Sequence, residues 1–197
     1  MGHGSVTHTA IEGPRLFLAA ALLGLALSCS GGDKSTGPTE EEDDTSLSGN
    51  TSALSVGPYA GNKAPDFTLT SIDAAQVTLK SLAGKPVFLN FWATWCGPCV
   101  AEMPDIEALK RELGDKIQII GIDLRESTAT VSSFVRSKGY TWTFVTDPNG
   151  AVGTLYKVDA IPTSVFIDAA GAVTARRVGS MSLAAMRPLA NAAIASD

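Results

Sequence analysis

The chain has few of the side chains that bind metals, with three cysteines and two histidines among its 197 residues. Both histidines, His3 and His8, precede the first cysteine, Cys29. A structural zinc site usually needs four nitrogen or sulfur ligands, and Cys/His nucleophilic catalysis needs an imidazole base. The composition therefore excludes a conventional metal site and a Cys/His hydrolase, and we expect no bound cofactor.

The acidic and basic residues balance over most of the chain. The formal charge of −5 lies in residues 30–56, which hold six acids and one base, whereas residues 57–197 hold 13 of each. A neutral domain has no electrostatic feature that would attract nucleic acid or an anionic membrane surface. We expect neither as a ligand of the domain, which we predict to be a monomer.

One apolar run, Leu16–Leu27, stands near the start of the chain and is followed by Ser28 and Cys29. As a helix it would span about 18 Å, which is short for a hydrocarbon core of about 30 Å. That length is typical of a signal-peptide core, so we interpret residues 1–28 as a signal peptide. Cleavage near Ala26–Ser28 with ordinary secretion, or an uncleaved anchor, are the alternatives.

The segment Leu25–Cys29 resembles a bacterial lipobox, because a small residue precedes the cysteine. This resemblance predicts that Cys29 becomes the lipidated N-terminus, which would anchor the protein to a membrane of the bacterial cell envelope, on its extracytoplasmic side. Ser30 leaves open whether that membrane is the inner or the outer one.

Residues 30–56 are rich in glycine, serine, threonine and acid, including the run Glu40–Asp44. They have too few apolar groups to bury, so we predict a disordered tether that reaches roughly 30 Å. A partner-binding acidic tail is the alternative. The predicted organisation is a signal peptide at 1–28, lipidated Cys29 with its tether at 29–57, and a domain at 58–197.

The other two cysteines, Cys96 and Cys99, enclose Gly97-Pro98 where an apolar strand gives way to a helix. Proline suits the first helical turn, so Cys96 is expected at the helix N-terminus and Cys99 one turn inside. Unpaired N–H groups and the helix dipole favour a thiolate at Cys96. We predict that Cys96 attacks and Cys99 resolves the mixed disulfide. Half a zinc site, a structural disulfide and chance are the other interpretations of this spacing.

The remaining pattern predicts an α/β domain. Strands are expected at 66–70, 76–79, 86–92, 117–124, 142–145, 163–168 and 172–178, and helices at 97–113, 128–138, shortly after 147–150, and at 182–195. The first two strands form a hairpin and the last two an antiparallel pair. This order predicts a thioredoxin fold, a central mixed sheet flanked by helices, with an added N-terminal β-hairpin.

The chain resembles the TlpA/ResA-like family of membrane-anchored extracytoplasmic thioredoxins over about residues 60–190. The matching segments are Ala64–Phe67, Asn90–Cys99, Glu102–Pro104 and Ile161–Thr163. The resemblance implies a thiol:disulfide oxidoreductase whose redox-active group is the Cys96–Cys99 disulfide. It also implies protein disulfides as substrates and a membrane electron donor of the DsbD/CcdA type. Many members act as reductants in cytochrome c maturation or a related pathway.

By the same resemblance, Pro162 is a cis-proline beside the cysteines, and Ile161 offers its backbone to an extended substrate segment. An ordinary trans edge proline is the alternative. Trp95 is expected on the substrate surface with Gly97 and Pro98, whereas Trp92 is expected in the core.

Asn90 stands six residues before Cys96, where cytoplasmic thioredoxins usually carry a buried aspartate that moves a proton. Glu102, three residues after Cys99, matches an acid that the family places near the thiols. We predict that Glu102 manages the proton of the buried thiol. A solvated helix glutamate is the alternative. Pro104 is expected to kink the helix.

Gly97-Pro98 resembles the pair found in reducing thioredoxins, so we favour a reductase. A tethered peptide-binding or holdase module with an incidental dithiol is the alternative from another class. A peroxiredoxin would carry proline and threonine eight and four residues before its cysteine, where this chain has Phe88 and Trp92.

Overall fold

Seven β-strands form one mixed sheet in the computed structural model, which describes residues 54–196. The strands are β1 (Thr68–Ser71), β2 (Gln76–Thr78), β3 (Val87–Trp92), β4 (Gln118–Leu124), β5 (Thr143–Asp147), β6 (Thr163–Ile167) and β7 (Val173–Val178). The helices are α1 (Gly97–Leu113), α2 (Thr128–Lys138), α3 (Ala151–Leu155) and α4 (Leu183–Ala195). The strand order is β2-β1-β5-β4-β3-β6-β7.

Strands β3, β4 and β5 run parallel at the centre, while β6, β7 and the β1–β2 hairpin pair antiparallel. All six residues of β3 are buried, as expected for a central strand covered on both faces. Trp92, the last residue of β3, pairs with Asp123 of β4. The carboxyl ends of β3 and β4 therefore lie side by side, directly before the cysteine motif.

Two apolar layers cover the sheet. On one face Phe88 and Trp92 pack with residues of α1, α2 and α4, and the Phe88 ring stacks on Phe166 with centroids 4.4 Å apart. On the other face Leu89 and Phe91 pack with α3 and with the segment that leads into β1. Alternation along β3 thus gives each face its own core.

Local signals in the sequence mark the helix ends. Cys96 is the N-cap of α1, and Pro98 lies in its first turn. Ser127 caps α2, which ends at Gly139 in the left-handed conformation with φ 69°. These three boundaries follow the predicted ones, and all four helices lie where the pattern placed them.

The differences from the predicted elements are small. Leu79 begins a single 3-10 turn, Leu79–Leu82, instead of ending a strand, and β5 runs from Thr143 to Asp147. The expected kink at Pro104 does not divide α1, which continues through it.

The predicted tether extends too far. Lys63 donates its N–H to the Ser55 carbonyl at 2.9 Å, and the Gly57 N–H reaches the Lys63 carbonyl at 2.9 Å. Residues from 55 onward therefore belong to the domain, which starts about three residues earlier than the predicted boundary. The boundary was predicted from the glycine- and serine-rich composition, which does not reveal hydrogen bonds between backbone groups.

The signal peptide, Cys29 and residues 30–53 of the tether lie outside the described residues. Within residues 54–196, no helix is both long and apolar enough to cross a bilayer.

Candidate active site

Cys96 and Cys99 form a disulfide at the N-terminus of α1, beyond the carboxyl end of β3. The Cys96 N–H donates to the Ala93 carbonyl at 3.1 Å, which closes the turn between strand and helix. The Cys99 N–H points at Cys96 Sγ from 3.3 Å. A backbone donor in this position stabilises negative charge on the Cys96 sulfur once the disulfide is opened.

Both cysteines are buried, and Cys96 is slightly the more exposed of the two. It is 5% exposed, against 1% for Cys99, whereas Trp95 beside it is 71% exposed. Gly97 and Pro98 are also exposed. Trp95, Gly97 and Pro98 are therefore exposed around a recessed sulfur pair, and Trp92 is fully buried as predicted.

Ile161 and Pro162 lie next to the disulfide. The Ile161–Pro162 peptide bond is cis, which confirms the prediction. The Ile161 carbonyl oxygen lies 3.8 Å from Cys96 Sγ. Within residues 54–196, the N–H and C=O of Ile161 make no backbone hydrogen bond, so both remain available to an incoming strand.

Glu102 is buried, with 2% exposure, so the interpretation as a solvated helix glutamate is wrong. Its Oε1 accepts a hydrogen bond from Asn90 Nδ2 at 2.8 Å, and its Oε2 accepts one from the Met181 N–H at 2.9 Å. Burial raises the pKa of Glu102 above its ordinary value, although both hydrogen bonds oppose the rise. Asn90 of β3 and Glu102 of α1 therefore form a buried hydrogen-bonded pair. From the sequence, the two residues were considered one at a time.

A second carboxylate at the site was not predicted. Glu126 Oε2 accepts the Thr94 N–H at 2.6 Å, and its Oε1 accepts the Thr94 hydroxyl at 2.7 Å. This contact joins the loop after β4 to the turn that leads into Cys96. Nearby, Asp123 is fully buried at the end of β4. The sequence contains one indication of Asp123, because an aspartate within an apolar strand is unusual. No local pattern predicts the contact between Glu126 and Thr94.

A surface pocket of about 390 Å³ opens beside the disulfide. Trp95 and Ile161 form one side of it, and Arg125 and Asp159 add one charge of each sign. A peptide held against Ile161 would extend over this pocket. Within residues 54–196, no group of three or more potential ligands is arranged to hold a metal ion.

The arrangement provides what thiol–disulfide exchange requires. One sulfur has a stabilising donor, a second sulfur lies within bonding distance of it, and a buried carboxyl group with a raised pKa lies behind the pair. An unpaired backbone edge next to the first sulfur completes the site.

Comparisons with known proteins agree with this chemistry. The family model described as Redoxin matches residues 59–194. A thiol-disulfide oxidoreductase ResA from Bacillus thuringiensis (strain Al Hakam) is 38% identical over 120 residues, which are 60% of this chain and 69% of the relative.

Solved structures show the same fold. A Chlorobium tepidum protein described as a thiol:disulfide interchange protein of the DsbE type matches with a TM-score of 0.64 and 32% identity, over 68% of this chain and 97% of that one. The exposed lipoprotein thioredoxin of Streptococcus pneumoniae strain TIGR4 matches with a TM-score of 0.59 and 28% identity, over 65% and 99%. The predicted thioredoxin fold is confirmed.

Proposed function

Because the chain belongs to the Redoxin family and is a ResA-like thiol-disulfide oxidoreductase, we propose that it reduces protein disulfides outside the cytoplasm through Cys96 and Cys99. The observation that carries this proposal is the disulfide at the N-terminus of α1, with the Cys99 N–H directed at Cys96 Sγ. Within residues 54–196, no backbone N–H of the helix end is directed at Cys99 Sγ in the same way, which supports different roles for the two sulfurs.

The exchange runs in two steps. The Cys96 thiolate attacks one sulfur of the substrate disulfide, which forms a mixed disulfide and releases the first substrate thiolate. The Cys99 thiolate then attacks Cys96 Sγ, so that the Cys96–Cys99 bond forms and the second substrate thiolate leaves. Two electrons pass to the substrate, and a donor dithiol must return two electrons to this protein.

Glu102 is the proton carrier for Cys99 in this proposal. The Cys99 thiol must lose a proton before it can attack, and it is 1% exposed. Glu102 is the acid one helical turn further on, and Asn90 cannot take up a proton itself. Its raised pKa brings Glu102 closer to the pH at which proton transfer is needed. Asn90 orients the carboxylate through its Nδ2.

Substrate binds as an extended segment along Ile161 and Pro162, over the exposed surface of Trp95, Gly97 and Pro98. Backbone hydrogen bonds to Ile161 would hold many sequences equally well, as in other β-augmentation sites. The 3.8 Å between the Ile161 carbonyl and Cys96 Sγ would bring such a segment within reach of the attacking sulfur.

The reducing direction and the location rest on the sequence and on the relatives. Gly97-Pro98 matches reducing thioredoxins, and the leader with Cys29 indicates a lipid anchor facing the periplasm or the outside. A lipoprotein thioredoxin among the similar structures supports this location. In an oxidising compartment, a membrane donor of the DsbD/CcdA type would supply electrons, and cytochrome c maturation is the pathway that the family resemblance favours.

Trapping of mixed disulfides tests the proposed roles. Each single variant, Cys96→Ser and Cys99→Ser, is reduced and then mixed with a peptide that contains a disulfide. We expect Cys99→Ser to accumulate a mixed disulfide through Cys96, because no resolving thiol remains, and Cys96→Ser to accumulate little. Equal trapping by both variants would contradict the assignment. Peptide binding that survives in the double variant, together with no disulfide reduction by the unmodified protein, would favour a binding module with an incidental dithiol.

A further inference from the structure

Asp123 is the least satisfied buried group near the site. It is 0% exposed, and within residues 54–196 no N–H or O–H group donates to either of its carboxylate oxygens. The Glu126 carboxyl group lies close enough to share a hydrogen bond with a protonated Asp123. It lies on the sheet face covered by α1 and α2, between its register partners Trp92 on β3 and Thr146 on β5. Burying a carboxylate without a donor costs free energy. We therefore expect Asp123 to carry a proton or to serve a function.

The loop that follows Asp123 contacts the turn before Cys96. Three residues after Asp123, the Glu126 carboxylate accepts two hydrogen bonds from Thr94, at 2.6 Å and 2.7 Å. Thr94 lies two residues before Cys96, inside the turn that the Cys96 N–H closes onto Ala93. One carboxylate from the neighbouring loop therefore contributes to holding the Cys96 turn in place, and we call this contact between Glu126 and Thr94 the Thr94 clamp.

The charges around Asp123 favour its protonated form. Burial, followed by the neighbouring Glu126 carboxylate, raises the pKa of Asp123 to about 8. Burial also acts to raise the pKa of Glu126, but the two hydrogen bonds from Thr94 and one from the Asp123 carboxyl group outweigh it and leave that pKa lowered. One proton for the two carboxyl groups thus resides on Asp123 at neutral pH, while Glu126 keeps its charge for Thr94.

The other ionisable groups near this face do not supply a counter-charge. From β5, Asp147 adds a further negative charge, and the first turn of α2 carries no charged residue. The buried ionisable residues of α1 are Cys99, Glu102 and Glu107, with Cys96 as its cap. No cation pairs with Asp123 within the described part of the chain.

We propose that Asp123 and Glu126 form a carboxyl pair that holds one proton and thereby positions the turn that presents Cys96. Asp123 is a positioning residue in this proposal, because it acts through Glu126 and Thr94. When the pH rises and the proton leaves Asp123 for the solvent, two adjacent negative charges repel each other and the Thr94 clamp loosens. The consequence for catalysis depends on the proposed role of Cys96, whereas the clamp itself does not.

The Thr94 amide proton gives a direct readout of the clamp. The full chain, with its disulfide intact, is labelled with ¹⁵N, and the Thr94 amide shift is followed from pH 6 to pH 10. We expect a step near pH 8 in the unmodified protein, and no such step in Asp123→Asn, which keeps the shape of the protonated form. Asp168→Asn is the matched control, since Asp168 is also buried but lies at the other end of the sheet.

A second readout links the clamp to the thiol. In the reduced protein, the alkylation rate of Cys96 is measured over the same pH range. We expect the unmodified protein and Asp168→Asn to deviate from a single cysteine titration near pH 8, and Asp123→Asn to follow a single titration. Glu126→Gln should also remove the deviation, because it leaves no second charge to repel.

Several outcomes would overturn the proposal. They are a Thr94 amide with no step between pH 6 and pH 10, a step that persists in Asp123→Asn, and a step that Asp168→Asn removes as well. None of these depends on which cysteine attacks, so a failure here is distinct from equal trapping by the two cysteine variants. If Asp123→Asn does not fold, the Thr94 titration in the unmodified protein and in Glu126→Gln decides the question.

Discussion

Two buried carboxyl groups, those of Glu102 and Asp123, lie near the cysteine pair, and their environments differ. Glu102 accepts hydrogen bonds from Asn90 and from the Met181 backbone on the β6 side of α1. No N–H group of the described residues donates in this way to Asp123, whose neighbour is the Glu126 carboxyl group. Burial raises the pKa of both, so a proton can be held on either side of the sulfurs at a pH where exposed carboxylates have lost theirs.

Replacing Glu102 with Gln should change the titration of the cysteines. The variant keeps the size of the side chain and removes its proton exchange, so the apparent pKa of Cys99 should shift and the pH dependence of disulfide exchange should flatten. Thiolate absorbance of the reduced protein measures both cysteines. Glu112→Gln, an exposed position on the same helix, is the control, and overlapping curves for Glu102→Gln and the unmodified protein would contradict the proton role.

Asp123 should also make stability depend on pH. Its pKa in the folded protein, about 8, lies above its ordinary value of 3.8, so the folded state binds the proton more tightly than the unfolded state. The stability due to this group is fully present below pH 3.8 and is lost as the pH rises through 8. Asp123→Asn should therefore raise the Tm at pH 9 by about 5 °C relative to the unmodified protein, with a much smaller difference at pH 5.

Differential scanning calorimetry at the two pH values measures this difference. An Asp123→Asn variant that is equally stabilised at pH 5 and pH 9 would show that packing, and not ionisation, is responsible.

The sequence predicted residues whose position follows from local spacing. Cys96, Cys99 and Glu102 lie on consecutive turns of one helix, so their proximity could be inferred before any tertiary structure was known. The contact between Thr94 and Glu126 spans 32 positions and depends on the register of β3 against β4. No local pattern contains that register, which is why the carboxyl pair emerged only from the structure.

At the element scale, helix ends agreed with prediction better than strand ends did. Proline after Cys96 and glycine at position 139 act on the backbone directly, through a fixed φ and through tolerance of the left-handed region. Strand ends depend on the neighbouring strand instead. Leu79 has the apolar character of a strand residue, yet its N–H bonds to the Phe67 carbonyl and the chain turns into a 3-10 helix.

The N-caps of α2 and α4 provide a matched pair for a stability measurement. Ser127 Oγ accepts the Thr130 N–H at 3.2 Å, whereas the Ser182 side chain makes no capping hydrogen bond. Ser127→Ala should therefore lower the free energy of unfolding by about 1 kcal/mol, and Ser182→Ala by clearly less. Urea unfolding followed by circular dichroism compares the two, and equal losses would contradict the assigned cap.

In the domain as a whole, the first described residues, up to Ala64, lie at the end of the sheet opposite the cysteines. Lys63 forms an isolated bridge to Ala172, just before β7, and Ala64 donates its N–H to the Gly171 carbonyl. The register of β3 against β6 places this loop beyond Val87, whereas Cys96 follows Trp92 at the other end. The first described segment therefore lies away from the cysteines.

Cys29→Ser tests the proposed anchor. The variant should lose lipid attachment and yield a soluble domain with unchanged disulfide exchange, because Cys29 lies far along the chain from Cys96. Metabolic labelling with palmitate should mark the unmodified protein only. Equal labelling of both, or of neither, would contradict lipidation at this residue.

The direction in which this oxidoreductase passes electrons depends on the reduction potential of the Cys96/Cys99 couple. Equilibration of the full chain in glutathione or dithiothreitol buffers, with the oxidised fraction read by thiol alkylation, measures that potential directly. We expect a value near that of thioredoxin, about −270 mV, at which the reduced form donates electrons to most substrate disulfides. A value near that of DsbA, about −120 mV, would mean that the protein introduces disulfides and would contradict its assignment as a reductase.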